Sequence, residues 1–176
     1  MREILFRGKD TERNVWHEGQ YIHLHKTTYC FDGSKECNAD NEIHQIVFEQ
    51  MTDWNLPNCH MRVDVLPETV GEFTGLTDKN GKKIFEGDIV ELFDMRGKIV
   101  QECGAFGIAT TQQIDYDLLD SKIPFQNNAY FCFNDNFISI WELWWNYHQD
   151  DEPLEVAEVI GNIYDTPELL KGDCCK

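Results

Sequence analysis

VGEFTGLTDKNGKKIFEGDIV, Val70 to Val90, is the stretch whose reading decides the fold. It spells a strand, a tight turn, a second strand and the start of a third. Asn80-Gly81 in Asp78-Lys79-Asn80-Gly81 tolerates the positive φ angles of a type I′ turn, whose twist matches the flanking strands, so a β-hairpin is predicted. In Glu86-Gly87-Asp88, glycine permits the unusual backbone angle between one strand and the next. Asp88 is placed to bond nearby backbone amides and hold that corner.

Working toward the N-terminus, Met61–Leu66 alternates like a half-buried strand and Pro67-Glu68-Thr69 marks a joint. We therefore expect a β-rich lobe over 1–66 packed on a second lobe over 67–176. Glu3–Arg7 reads as a strand and Gly8–Thr11 as the turn that ends it. Val15-Trp16 and Tyr21–His25 read as a strand pair turned at Glu18-Gly19. Asp32–Asn41 reads as a polar surface loop, and Glu42–Met51 fits a strand or a short helix. Toward the C-terminus, Ile89–Phe93, a turn at Asp94–Gly97 and Lys98–Cys103 make a meander. Ile108–Ile114, Ala129–Phe133 and Phe137-Ile138 add strands around the polar stretch Asp115–Asn128, and Gly104–Gly107 reads as a bulge or corner. Short strands joined by tight turns predict a mainly β fold, a small barrel or sandwich.

Two helices interrupt this pattern. Ser139-Ile140-Trp141-Glu142 has capping-box spacing, and Ile140, Leu143, Trp144 and Tyr147 fall on one helical face. Trp141 and Trp145 lie off that stripe. Aromatic residues on more than one side make Trp141, Trp144, Trp145 and Tyr147 candidates for an interaction surface. After a strand over Val156–Tyr164, Thr166-Pro167-Glu168 supplies a cap, a proline at the first helical position and an acid in the first turn of a short helix.

The 176 residues carry 32 acidic against 15 basic side chains, a net charge of -17 that repels a phosphate backbone. The local group Lys79, Lys82, Lys83 sits on the predicted hairpin tip, so direct nucleic-acid binding is disfavoured. No apolar stretch reaches the ~20 residues of a membrane span and no signal-peptide pattern is present, so a cytoplasmic protein is expected. An odd count of seven cysteines argues for reduced thiols, with Cys30, Cys103 and Cys132 as small core residues.

His23-Leu24-His25 is the best metal candidate, because residues i and i+2 of a strand share a face. Two ligands do not make a site, and neither a Cys-x-x-Cys nor a His-Glu-x-x-His spacing adds to them, although Cys30, Cys37, Cys59 and His60 are available. Surface histidines are the plainer reading, and no cofactor is expected. Neither a Gly-x-Ser-x-Gly elbow nor a phosphate-binding Gly-x-x-x-x-Gly-Lys loop occurs, so no catalytic residue is assigned. Asp150-Asp151-Glu152 reads as a solvated loop.

The phrase from Thr74 to Gly81 together with Glu86–Val90, the opening Met1–Arg7 and the block Glu158–Leu170 resemble the YopX family of phage- and prophage-encoded proteins. The resemblance implies a mainly β fold with an SH3-like small barrel in its C-terminal part, and it supplies no catalytic residues. The chain departs from shorter members by the polar segments Asp32–Asn41 and Asp115–Asn128 and by the tryptophans 141, 144 and 145. The leading functional expectation is a non-enzymatic interaction protein that pairs with itself and with a host protein. Rival expectations are an acidic DNA mimic occupying a host nucleic-acid enzyme and a cation-dependent hydrolase or nuclease.

Overall fold

The computed structural model describes residues 3–26, 41–93, 95–102, 104–114, 136–147 and 156–171. The chain forms two compact units, Met1–Glu72 and Phe73–Lys176. Every strand pairing among the described residues is antiparallel.

The first unit contains β1 (Phe6–Lys9), β2 (Trp16–His25), β3 (Glu42–Gln50) and β4 (Cys59–Asp64) in the order β4-β3-β2-β1. After β4 the chain bends back to β1. Val65 bridges Asp10, Thr11 N–H donates to Asp64 O at 3.1 Å, and Val65 N–H donates to His44 O at 2.9 Å. Val65 in this return and Ile46 on β3 are both buried. Glu42–Gln50 is a strand and not a helix, since six of its residues pair with β2 and six with β4.

Glu18-Gly19 is not a turn: β2 runs unbroken through it. Gly19 lies opposite Phe6, and a Cβ there would meet Val47 O at 2.1 Å. The glycine admits a neighbouring backbone at close range and does not punctuate the strand. The turn expected at Gly8–Thr11 begins later, because Gly8 and Lys9 still pair with His17 and Trp16. Asp10 then accepts from the Glu12 and Arg13 amides through Oδ1, at 2.6 and 3.1 Å.

β5 (Gly71–Thr77) starts in the first unit, pairing Gly71 and Glu72 with Arg7 and Phe6, and continues into the second. There it pairs with β6 (Lys83–Phe85). The second unit adds β7 (Asp88–Leu92), β8 (Met95–Glu102), β9 (Ala105–Thr110), β10 (Phe137–Ser139), α1 (Ile140–Tyr147) and β11 (Ala157–Asn162), and closes with a 3-10 turn at Pro167–Leu170. Its sheet has the order β10-β9-β8-β7-β11. Ile99, Ile108, Ile140, Leu143, Val90 and Leu92 form one apolar core under it. The outer strands β10 and β11 do not pair with each other, so the described residues contain no closed barrel.

The hairpin is present, but its turn differs from the type I′ expectation. Gly81 N–H donates to Asp78 O at 2.9 Å, Gly81 has φ 77, and Asn80 is not among the positive-φ residues. This is a type I turn followed by a left-handed glycine, a geometry that also suits a twisted hairpin. Gly97 likewise leaves the expected turn and sits inside β8 opposite Val90 and Thr110, where a Cβ would meet Ile108 Cγ2 at 2.5 Å. The β7–β8 reversal instead uses Phe93 with φ 55. Thr166 does not cap the last helical turn. Its hydroxyl donates to Asn162 O and accepts from Asn162 N–H, each at 3.2 Å. The expectations for 32–40, 115–133 and Asp150–Glu152, and for Cys30, Cys103 and Cys132, fall outside the described residues.

Candidate functional site

Three features of the molecule gather chemistry or exposed apolar surface. The first is a face of the β2–β3 ladder. Period-2 alternation puts Tyr21, His23 and His25 on one side of β2, and the register sets them opposite Ile46, His44 and Glu42. His23 and His44 stack with ring centroids 4.5 Å apart and planes 13° from parallel. Glu42 Oε2 lies 3.1 Å from His44 Nε2 and 3.6 Å from His23 Nε2. On its other side the His44 ring meets the Tyr21 hydroxyl through Nδ1 at 2.6 Å. Burial, followed by the Glu42 charge, raises the Tyr21 pKa above the ordinary value of 10.0, so the phenol stays protonated at neutral pH.

His25 stands next to His23 at 5.5 Å between centroids, but it is not part of the tight group. The structure therefore joins His23 to Glu42 and His44 across the strands, where sequence alone had paired it with His25. Glu42-Ile43-His44 repeats the i, i+2 spacing of His23-Leu24-His25, a signal that sequence reading passed over. Only the register shows that the two pairs face each other.

The second feature is the β3–β4 hairpin. Its connection exposes Met51, Trp54 and Leu56, with Trp54 85% exposed, and Met61 on β4 is also exposed. All of β4 except Val63 is exposed, and no strand covers its outer edge from Cys59 to Val63 among the described residues. Large apolar side chains beside an open strand edge are unusual on a surface that has no partner. Beside this hairpin a cleft of about 810 Å³ is lined by Asp10, Arg13, His17, Phe48, Asp64 and Arg62 among others. The His17 ring stacks on Phe48 at 5.2 Å, with Nε2 3.6 Å from Asp10 Oδ2.

The third feature is α1. Ile140 and Leu143 are buried in the core of the second unit, and Trp144 is half-buried against it. Trp141 is 40% exposed and meets Trp144 edge to face at 5.7 Å. The side chains of Trp145 and Tyr147 are outside the described residues.

Asp78, Asn80, Gly87 and Asp88 have structural positions. Buried Asp88 accepts from Phe85 N–H at 2.8 Å, across Gly87 with φ 83. Asp78, wholly buried, accepts from Asn80 and Lys82 N–H through Oδ1 at 2.8 and 2.9 Å, and from Val159 N–H through Oδ2 at 3.0 Å. The last bond ties the hairpin turn to β11. Local sequence identifies Asp as a turn former but cannot show a partner 81 residues away.

No described helix is long and apolar enough to cross a membrane. The family model described as YopX protein matches residues 5–171, and no curated protein matches the chain.

Proposed function

We propose, since the chain belongs to the YopX family over nearly its whole length, that it is a non-enzymatic interaction module in which two copies pair through the β3–β4 hairpin. The observation that carries this reading is Trp54, a large aromatic side chain 85% exposed beside an open edge strand. Tryptophan supplies more contact energy per residue than almost any other side chain when an interface covers it.

A second copy suits this edge for a geometric reason. An antiparallel strand edge placed across a two-fold axis meets the same edge of its partner, so one surface satisfies both sides. The Val65 amide points to β3 and the Asp64 carbonyl points away from it, so alternation directs the His60 and Arg62 backbone groups outward. Those groups are the ones a partner strand would pair. The net charge of -17 opposes association of two copies at long range, which leaves apolar and backbone contacts to hold them together. Trp141 on α1 is a separate exposed aromatic and serves as the internal comparison.

Light scattering coupled to gel filtration tests the reading. The expected result is a multiple of the 20.6 kDa chain mass that falls to one copy in Trp54→Ala and in Arg62→Pro, and is unchanged in Trp141→Ala. Arg62→Pro removes an outward donor. Circular dichroism checks that each variant keeps its strands. A single-copy mass for the wild type at high concentration overturns self-association, and a mass lost only in Trp141→Ala moves the interface to α1.

A further inference from the structure

We propose that His23, Glu42 and His44 form a site for a single transition-metal dication of the zinc class. The proposal is independent of the pairing of copies above, because its ligands lie at the far end of the β2–β3 ladder from the β3–β4 connection.

The distances fit. Zinc binds imidazole nitrogen and carboxylate oxygen at about 2.0–2.2 Å, so two ligand atoms on a tetrahedron stand about 3.3–3.5 Å apart. Glu42 Oε2 stands 3.1 and 3.6 Å from the two imidazole Nε2 atoms, one on each side of that edge length. All three ligand atoms lie within 4.8 Å of one another, so small rotations of exposed His23 and half-buried Glu42 close the triad on His44. Two neutral imidazoles and one carboxylate suit zinc, cobalt or nickel better than the oxygen-seeking magnesium or calcium ions.

The Tyr21 hydroxyl on His44 Nδ1 is a second, independent observation. A metal-bound histidine characteristically spends its other ring nitrogen on a fixed polar partner that sets tautomer and orientation. With an ion on Nε2, the His44 Nδ1–H would donate to the phenol oxygen; with no ion, Nε2–H can donate to Glu42 Oε2 while Nδ1 accepts from the phenol, so binding exchanges one tautomer for the other. The stack of His23 on His44 holds the second ring nearly parallel to the first at 4.5 Å, so a turn of the His23 ring brings its nitrogen to the shared ion. Three protein ligands leave the fourth tetrahedral position to water or to a group from a partner.

The test is titration of the purified full chain with Zn²⁺, followed by side-chain NMR of the histidine rings and by calorimetry. The expected result is a one-to-one event that shifts the His23 and His44 ring signals and leaves His60 unmoved. Affinity falls at least about tenfold in His23→Ala and in Glu42→Gln, and about tenfold or more in Tyr21→Phe. His25→Ala stays within about twofold of wild type. His23 is half exposed and Glu42→Gln is isosteric, so these variants test the site even where His44→Ala fails to fold. Zinc binding that leaves both ring signals in place, or equal affinity in His23→Ala and Glu42→Gln, overturns the proposal. So does a thiolate-to-cobalt charge-transfer band on Co²⁺ substitution, which would place the ion on cysteines.

Discussion

Replacing Asp78 by alanine removes the carboxylate that joins the hairpin turn to β11. The Asn80 and Lys82 amides sit at a partly exposed turn and regain water when the side chain is lost, so each bond costs about 0.5–1.5 kcal/mol. The Val159 amide is buried, and leaving it without an acceptor costs about 1–3 kcal/mol. Together these give a loss of about 2–6 kcal/mol. Asp78→Asn keeps one oxygen for the two turn amides but sets an NH₂ group against Val159 N–H, so it recovers only part of the loss. The assay is urea unfolding followed by residue-resolved amide exchange, because two compact units do not guarantee a single transition. Protection at Val159 falls most, with Asn80 and Lys82 following. A change below about 1 kcal/mol with Val159 protection intact would refute the reasoning, since β11 would then be held by its pairing with β7 alone.

Two glycine substitutions separate crowding from backbone strain. Gly107→Ala drives a Cβ to 2.2 Å from Phe137 Cζ and 2.7 Å from Ile138 O, and Phe137 is buried, so it costs about 1–3 kcal/mol or more. Gly81→Ala meets nothing within 4 Å and carries only the left-handed penalty at φ 77, about 1–2 kcal/mol, so urea midpoints order the two variants. Asp10 provides a pH test. The Glu12 amide, followed by that of Arg13, holds its carboxyl below the ordinary 3.8, so the unfolded chain takes up this proton at higher pH than the folded one. Its contribution is complete above about pH 4 and disappears as pH falls through the folded value. The gap in urea midpoint between wild type and Asp10→Asn therefore narrows below that pH, and a gap that widens in acid contradicts the assignment.

The places where sequence reading and structure part share a cause. Gly19 and Gly97 were read as turn residues because glycine punctuates chains locally, yet both sit inside strands against a neighbour's backbone or side chain. Nothing within a few residues distinguishes a glycine that bends the chain from one that lets another strand approach. Glu42–Met51 fits strand and helix alike in sequence because its apolar residues suit both periods. Pairing on both edges decided for strand. The closed small barrel expected from the family resemblance needs a pairing between the outer strands, which the described residues do not make.

Alternation, turn chemistry and capping spacing were enough to establish a mainly β chain with a hairpin at Val70–Val90, strands from Met61 and from Ile89, and a helix opening after Ser139. Those signals are local, since a strand's two faces and a turn's backbone angles are written in adjacent residues. The meeting of His23 with Glu42 and His44, the reach of Asp78 to Val159 and the exposure of Trp54 were decided by tertiary structure. Each depends on which strand lies beside which and in what register. That choice is made by burial summed over the whole sheet, and no single segment carries it.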